Sequence, residues 1–190
     1  KGYGFSEIII VNIITNLKEI PKNPDPTNAM LIDTNSIEEA GRIVGKLDNK
    51  VKLIIVQGRS AEFNRKILEN KKVNILLNPE KYGKRDKLYE RDSGLNHILC
   101  KIAKENNISI AIDIKEIISK EGKEKALYLA KIMQNIKLCK KYKVPFLITL
   151  LPSTQEEARS AYDLQALGRV LGMDTKMAQK SIEKEIQLID

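Results

Sequence analysis

Short apolar runs recur along the chain, and each ends at a polar residue. The runs are rich in Ile, Val and Leu and lack strict alternation, which is typical of parallel strands that are buried on both faces. We predict six strands, at residues 7–11, 29–32, 52–56, 73–77, 109–112 and 146–148.

Helical patterns lie between most of these strands. Ser36 and Ser60 each precede an amphipathic segment with an acidic residue in its first turn, as expected of N-caps. Further helices are predicted at residues 95–106, 123–142, 164–171 and from 176 onward, with Asp163 and Thr175 as caps and Gly172 as the stop between the last two.

One helix between strands about twenty residues apart describes successive βα units, whose crossovers are right-handed. The fold class is therefore α/β. Six units follow one another without an evident switch point, which favours a TIM-barrel-like array over an open doubly wound sheet. We predict a single domain over residues 1–190, since one core serves a chain of this length.

Polar residues follow or end the predicted strands, where α/β proteins place their working groups: Asn12, Asp33, Gln57, Asn78, Asp113 and Thr149. Asp33 and Asp113, with His97, would suit a small metal-dependent phosphoesterase, although polar residues commonly begin loops in any fold. The chain has 1 His and 2 Cys, which disfavours a zinc site and a disulfide framework. Cys100 and Cys139 fall on apolar helix faces and are expected to be buried thiols.

The formal net charge is +8, which attracts polyanions but also results from lysine-rich solvated faces. Basic residues cluster, among acidic ones, in the irregular segment 78–92, a length of loop that is functional or disordered in most domains. Its basic residues are Lys81, Lys84, Arg85, Lys87 and Arg91, accompanied by Tyr82 and Tyr89, which have the chemistry to stack on RNA bases. Gly58-Arg59-Ser60 is a weak candidate for a phosphate site at a helix start.

With 42% apolar residues the chain can form a core, and its apolar runs are too short to cross a bilayer. We expect a soluble, cytoplasmic protein without a membrane partner.

Three blocks of the chain resemble the ribonuclease P protein component 3 family of archaea and eukaryotes. Residues 76–103, LLNPEKYGKRDKLYERDSGLNHILCKIA, are similar to the family's strand, Asn/Ser/Thr-Pro and basic RKDSGIDHVLAKLA-like segment. Residues 133–146, MQNIKLCKKYKVPF, and 160–173, SAYDLQALGRVLGM, continue the resemblance in the family's order.

The resemblance implies a barrel-like fold and a non-catalytic role beside the RNA that removes the 5′ leader of precursor tRNA. It implies three partners, which are the ribonuclease P RNA, the precursor tRNA within the complex and a second, smaller protein subunit. Magnesium is expected on the RNA, and no cofactor on the protein. The RNA-binding residues are expected to be Arg65, Lys84, Arg85, Arg91, His97 and Lys137.

The chain departs from the family's pattern in three places. An insertion at residues 82–90 leaves open whether Arg85 or Arg91 is the motif arginine, and Ala161 stands where the family has Pro. The family's first strand and helix have no counterpart before Lys1, so we expect this array to lack its first βα unit and, unless further residues supply that unit, to be open on one side.

Three functions therefore remain open. The leading hypothesis is a ribonuclease P protein subunit that supports the catalytic RNA. The alternatives are the phosphoesterase that uses Asp33, Asp113 and His97, and a protein scaffold with incidental basicity. A subunit predicts RNA binding that weakens with salt, a phosphoesterase predicts intrinsic hydrolysis that Asp113→Asn abolishes, and a scaffold predicts neither.

Overall fold

In the computed structural model, the described residues form six parallel strands that alternate with seven α-helices. The structure describes residues 11–24, 26, 28–82, 92–149 and 160–187. The strands are β1 Val11–Ile14, β2 Ala29–Ile32, β3 Leu53–Gln57, β4 Ile75–Leu77, β5 Ser109–Asp113 and β6 Phe146–Thr149. The helices are α1 Ile37–Leu47, α2 Ala61–Leu68, α3 His97–Glu105, α4 Ile114–Ile118, α5 Gly122–Tyr142, α6 Ala161–Val170 and α7 Thr175–Gln187.

The strands pair in chain order, β1-β2-β3-β4-β5-β6, and every pair is parallel. This sequential order is that of a (β/α) barrel, because a doubly wound sheet would reverse its order at a switch point. The predicted α/β, TIM-barrel-like class is confirmed. Among the described residues, β1 and β6 are the two edges of the sheet.

The two faces of the sheet form separate cores, as strand alternation requires. The outer face packs against the helices and includes Met30, Ile54, Ile110 and Ile148. The inner face forms a smaller apolar cluster from alternate positions: Ala29, Leu31, Leu53, Ile55, Ile75, Leu77, Ala111 and Leu147. Both faces are therefore buried, which explains the continuous apolar runs of the sequence.

Most predicted boundaries that fall on described residues are confirmed within two residues, whereas the end of the first strand, the start of α6 and the cap of α7 are wrong. Residues 7–10 of the predicted first strand lie outside the described residues. The first strand reaches Ile14, so Asn12 lies inside it and not after it. α6 begins at Ala161, where Ser160 Oγ accepts from Asp163 N, and so Asp163 is not its cap. At α7 the capping acceptor is Asp174, whose Oδ1 is 2.9 Å from Met177 N.

The sequence also missed α4, a helix of 5 residues directly after β5. Cys100 and Cys139 are buried free thiols, as predicted. No helix within the described ranges combines the length and the apolar character that a membrane span requires.

Candidate functional site

The carboxyl ends of the strands gather polar side chains at one end of the sheet, which we call the carboxyl-end face. Gln57, Asp113 and Thr149 are the last residues of β3, β5 and β6, and Asp33 and Asn78 directly follow β2 and β4. Asp113 and Thr149 are register partners on adjacent strands. The predicted polar ring is thus present at five of its six positions, since Asn12 lies within β1.

Several of these polar groups build the face itself. Asn78 has a left-handed φ of 47° and its Oδ1 accepts from Asp113 N at 2.7 Å. Asp113 Oδ1 in turn accepts from Lys115 N at 3.0 Å and caps α4. Gln57 donates to the Leu77 carbonyl at 3.3 Å. The ends of β3, β4 and β5 are therefore cross-linked by side chains with structural roles.

Arg59 directly follows Gly58 on this face. Its guanidinium forms an ion pair with Asp33 and stacks on Tyr82, with Cζ 4.2 Å from the ring centroid. A stacked, paired arginine of this kind is held in one orientation. The weak phosphate site predicted at Gly58-Arg59-Ser60 is not available in this arrangement, because the Arg59 side chain is committed to Asp33.

Lys81 is also engaged within the protein. Its Nζ lies 2.5 Å from Glu116 Oε1 on α4 and 5.6 Å from the Tyr82 ring centroid. Burial alone would lower the pKa of Lys81, but the Glu116 carboxylate raises the pKa above its ordinary value. The Lys81–Glu116 ion pair therefore links the chain after β4 to α4.

Two glycines let backbone segments approach closely beneath this face. A Cβ on Gly94, which has φ +73°, would lie 1.9 Å from the Pro79 carbonyl oxygen. A Cβ on Gly58 would lie 2.7 Å from Pro79 Cα. The Asn-Pro and Asp-Ser-Gly elements of residues 76–103 are thus packed directly together, and the packing requires glycine. We call this close approach of Gly58, Pro79 and Gly94 the Gly94 junction.

Asn64 joins α2 to the Gly94 junction. It is fully buried, accepts from Arg59 N at 2.7 Å, and donates to the carbonyls of Arg59 and Gly94 at 3.2 and 3.1 Å. Arg65 follows it on the outer surface of α2, where its Nε pairs with Glu69 at 3.0 Å while its side chain stays 58% exposed. Arg65 therefore lies near the Gly94 junction, because it directly follows Asn64 on α2.

A buried carboxyl group lies on the other side of the junction. Glu80 is 1% exposed and accepts from Tyr128 Oη at 2.9 Å and from Asn135 Nδ2 at 3.1 Å. Asn135 Nδ2 also donates to the Ser93 carbonyl at 2.9 Å. Burial raises the pKa of Glu80 to about 7, although the hydrogen bonds from Tyr128 and Asn135 lower it. We call Glu80, Ser93, Tyr128 and Asn135 the Glu80 network.

His97 and Lys137 lie at the same level on two neighbouring helices. Asn135 contacts Ser93 before α3, and Cys139 hydrogen-bonds Cys100 within it. Lys137 lies between those two points on α5, as His97 does on the α3 side, and both side chains are exposed. The structure thus places two of the residues that the resemblance indicated on adjacent helices.

The start of α3 differs from the prediction in one respect. The backbone N–H groups of Ile98 and Leu99 do not point to a ligand, because Asn96 Oδ1 accepts from both at 2.9 Å. His97 itself is exposed and has no hydrogen-bond partner among the described residues. Its imidazole is therefore accessible at the first position of the helix, but the helix terminus is already capped.

The three remaining predicted RNA-binding residues, Lys84, Arg85 and Arg91, lie outside the described residues, as do Lys87 and Tyr89. The flanking residues Tyr82 and Asp92 are described, so the structure shows the two points at which segment 83–91 joins the described residues. Both points are at the carboxyl-end face, since Tyr82 stacks on Arg59 and Asp92 precedes Ser93 of the Glu80 network.

The phosphoesterase alternative requires Asp33, Asp113 and His97 to converge. Asp33 instead pairs with Arg59, Asp113 caps α4, and His97 is on the exposed first turn of α3. Within the described part of the chain, no group of three or more His, Cys, Asp or Glu side chains is placed to hold a metal ion. These positions do not assemble the site that this alternative needs.

Sequence reasoning missed Asn64, Glu80, Tyr128 and Asn135, which position the site. One signal was present: Asn135 lies in the same helical stripe as the buried residues Tyr128, Ile132 and Cys139. A polar residue in an apolar stripe indicates a buried hydrogen-bond partner. Nothing comparable marks Glu80, which follows Asn78 and Pro79 in a polar stretch.

Comparison with known proteins extends the resemblance to nearly the whole chain. A family model described as RNase P subunit p30 matches residues 2–189. The ribonuclease P protein component 3 of Methanococcoides burtonii is 35% identical over 181 residues, which cover 92% of this chain and 70% of that protein. The corresponding protein of Methanocaldococcus jannaschii is 30% identical over 159 residues, which cover 84% and 65%.

A solved structure agrees with these relatives. A chain in the cryo-EM structure of archaeal ribonuclease P with mature tRNA superimposes with a TM-score of 0.73 at 29% identity, over 86% of this chain and 67% of that one. A crystal structure of an uncharacterized protein, with a TM-score of 0.57 at 10% identity, shares the fold alone. The chain spans about two thirds of the length of the relatives it matches.

Proposed function

The chain belongs to the RNase P subunit p30 family, and on that premise we propose that it acts as a protein subunit of ribonuclease P in tRNA 5′ maturation. The observation that carries the proposal is the match of residues 2–189 to the family model, supported by the fold shared with a chain of archaeal ribonuclease P. The RNA would perform the phosphodiester chemistry with its own magnesium, and the protein would support the RNA's geometry. The partners would be that RNA, the precursor tRNA and a second, smaller protein subunit, in the cytoplasm.

The charge distribution of the described residues supports an RNA-binding role. Arg65, His97 and Lys137 are exposed on α2, α3 and α5, and α3 packs against both of the other two helices. Tyr82 and Asp92, which flank the segment with Lys84, Arg85 and Arg91, lie near the Gly94 junction, which these helices adjoin. Cations placed this way neutralise phosphates and fix the register of an RNA without reading its bases.

A reconstitution assay tests the proposed function. Catalytic RNA and the remaining protein subunits are assembled with and without this chain, and precursor tRNA cleavage is measured across a magnesium series. We expect that omitting the chain shifts the magnesium requirement upward, because phosphate repulsion in the RNA is then neutralised by metal alone. Equal cleavage with and without the chain at low magnesium would contradict the proposal.

A double variant tests whether Arg85 and Arg91 contribute to RNA binding. Arg85→Ala combined with Arg91→Ala is expected to weaken RNA association and to reduce the slope of log K against log salt by about 0.7–0.9 for each phosphate that is no longer neutralised. Lys46→Ala combined with Lys50→Ala is the matched control, because both lysines are exposed at or after the end of α1, at the opposite end of the sheet. An equal effect of this control would indicate nonspecific attraction.

A further inference from the structure

Four exposed lysines lie beside the groove between two neighbouring helices, α3 and α5. We call them the α3–α5 lysine face: Lys101, Lys104, Lys137 and Lys141. The two helices are in contact along this groove, where Cys139 hydrogen-bonds Cys100. The four lysines therefore belong to one surface, although two of them are distant from the other two in the chain.

Lys101 and Lys104 form the row on α3. Lys104 lies one turn after Cys100, so both side chains are on the side of α3 that borders α5. His97, Lys101 and Lys104 have the i, i+4, i+7 spacing of one helix stripe, and all three are exposed. Glu105, the acidic residue of α3, follows Cys100 by five positions and therefore faces away from the groove.

Lys137 and Lys141 form the row on α5. They follow Gln134 at i+3 and i+7 and share its stripe of the helix. Gln134 Nε2 donates to Ser93 Oγ at 3.1 Å, just before α3, so this stripe also borders the groove. Since packed helices have axes about 8–10 Å apart, the two rows run side by side at about that separation.

The positive charge of the α3–α5 lysine face is not compensated by carboxylates. None of the four lysines forms an ion pair with a residue that the structure describes, and residues 125–143 contain no Asp or Glu. On α2, by contrast, Arg65 and Lys66 share the Glu69 carboxylate. The groove between α3 and α5 is therefore bordered by charge of one sign.

The helix termini account for only part of this charge. Lys104 and Lys141 are in the last turns of their helices, where the helix dipole favours cations. Lys101 and Lys137 lie earlier, where the dipole gives no such benefit, and Lys137 repels Lys141 at i+4. A polyanion bound across the groove would turn this repulsion into attraction.

The absence of an exposed aromatic side chain on the described residues of α3 and α5 indicates which form of polyanion fits. Tyr128 is buried, and Tyr142 packs against the core. Proteins bind single-stranded RNA largely by stacking its bases on aromatic side chains, whereas double-stranded RNA is bound through its shape, phosphates and 2′-hydroxyls. Cations without a stacking group therefore favour a double helix.

The arrangement in two rows also matches a double helix. Successive lysines within a row are about 4.5–6 Å apart along the helix axis. The two strands of A-form RNA border a deep, narrow major groove, so that phosphates of both strands lie close to each other there. Each row of lysines is thus placed to neutralise phosphates of one strand.

We propose that the α3–α5 lysine face binds the phosphate backbone of a double-helical RNA stem, with one row of lysines on each strand. The inference rests on the proposed function, since it names the form of RNA that this surface takes. It extends the RNA-binding surface from His97 to the C-terminal ends of both helices. Binding through phosphates is independent of base sequence.

The test measures binding of the full chain to two RNAs of equal length, a hairpin stem and an oligouridylate, across a salt series. We expect the wild-type chain to bind the hairpin at least about fivefold more tightly than the oligouridylate. The lysine-face variant replaces all four lysines with Gln: Lys101→Gln, Lys104→Gln, Lys137→Gln and Lys141→Gln. We expect it to bind the hairpin at least about tenfold more weakly, with the slope of log K against log salt reduced by at least about 1.5, and to lose the preference for the hairpin.

A second quadruple variant is the matched control. It removes the same charge from exposed positions on and around α1, with Lys18→Gln, Lys22→Gln, Lys46→Gln and Lys50→Gln. α2 lies between α1 and α3, so these lysines are distant from the groove. We expect the control variant to keep the preference for the hairpin and a slope close to that of the wild-type chain.

The outcomes separate the two proposals. Absence of binding of the wild-type chain to ribonuclease P RNA would overturn the proposed function. Wild-type binding to ribonuclease P RNA with an unchanged hairpin affinity and slope for the lysine-face variant would overturn the present inference alone. Equal losses in the two quadruple variants, or equal wild-type affinity for the hairpin and the oligouridylate, would overturn it as well, since binding would then depend on net charge.

Circular dichroism and thermal unfolding establish that the variants are folded. All substituted lysines are exposed, and Gln has nearly the helix propensity of Lys. Should the lysine-face variant not fold, Lys137→Gln with Lys141→Gln supplies the same comparison, because it relieves a like-charge pair within α5. An unchanged hairpin slope for that double variant would overturn the inference in the same way.

Discussion

Glu80 is a carboxylic acid whose surroundings favour its neutral form. Complete burial raises the pKa from 4.5 to about 7, and the nearby Glu116 carboxylate adds to the effect. The other charged groups close by are compensated among themselves, since Lys81 pairs with Glu116 and Lys120 pairs with Glu124 above the Tyr128 ring. A protonated Glu80 keeps its neighbours, because its proton can be donated to Tyr128 Oη while the other oxygen still accepts from Asn135.

The pH dependence of stability follows from this pKa. Between pH 4.5 and about 7 the folded protein holds a proton that the unfolded chain releases, so stability falls as pH rises through that window. We expect the Tm of the wild-type chain to fall by several degrees between pH 5 and pH 8, and that of Glu80→Gln to fall less. Calorimetry at constant ionic strength measures both.

The other shifted carboxyl groups do not interfere with this measurement. The pKa values of Glu19, Glu38, Glu69 and Asp174 are lowered, by hydrogen bonds above all, so these groups titrate below the window. Parallel Tm profiles for the wild-type chain and Glu80→Gln would mean that Glu80 is ionised throughout.

At the scale of elements, α2, α3 and α5 are joined near the Gly94 junction by side-chain amides rather than by apolar packing alone. Asn64 joins α2 to the Gly94 carbonyl, and Asn135 joins α5 to Ser93 directly beside it. Each amide serves backbone groups where Gly94 and Pro79 approach each other closely. Such buried carbonyls require a donor, since leaving one unpaired costs about 1–3 kcal/mol.

Removal of Asn64 tests this arrangement. Asn64→Ala deletes three hydrogen bonds, to Arg59 N, Arg59 O and Gly94 O, and we expect a loss of about 1–3 kcal/mol in the free energy of unfolding, measured with urea. Asn70→Ala is the control just after the same helix, because Asn70 accepts one exposed hydrogen bond from Lys72 N. A loss for Asn64→Ala no larger than that for Asn70→Ala would show that the junction does not depend on the amide.

At the scale of the whole molecule, the fold determines which basic side chains pair with carboxylates and which leave a positive charge on the surface. Several cations are neutralised in ion pairs, such as Arg59 with Asp33, Lys72 with Asp48 and Lys140 with Asp174. Arg65, although paired with Glu69, shares that carboxylate with Lys66, so one positive charge remains on this turn of α2. Positive charge is therefore available at the helices that surround the Gly94 junction.

A double variant tests whether this positive charge contributes to RNA binding. Arg65→Ala with Lys137→Ala is expected to weaken RNA binding and to reduce the salt slope by about 0.7–0.9 for each phosphate left without its cation. Filter binding across a potassium chloride series records both quantities. Lys46→Ala with Lys50→Ala removes the same charge from the opposite end of the sheet and should leave the slope close to that of the wild-type chain.

Local patterns in the sequence determined the alternating βα order, the parallel strands, the Ser36 and Ser60 caps and the family resemblance. These depend on near neighbours in the chain, such as a cap with the turn that follows it or an apolar run with its polar end. Asn12 and Asp163 were misplaced because a one-dimensional pattern leaves the exact end of an element to hydrogen bonding.

Only the tertiary structure decided how the site is assembled. Arg59 is committed to Asp33, 26 residues earlier, and Asn135 reaches Glu80, 55 residues away. Burial of Glu80 depends on α5, which supplies both Tyr128 and Asn135 from a distant part of the chain. Interactions between such distant residues carry no local signal, because they form only when the sheet brings its strand ends to one face.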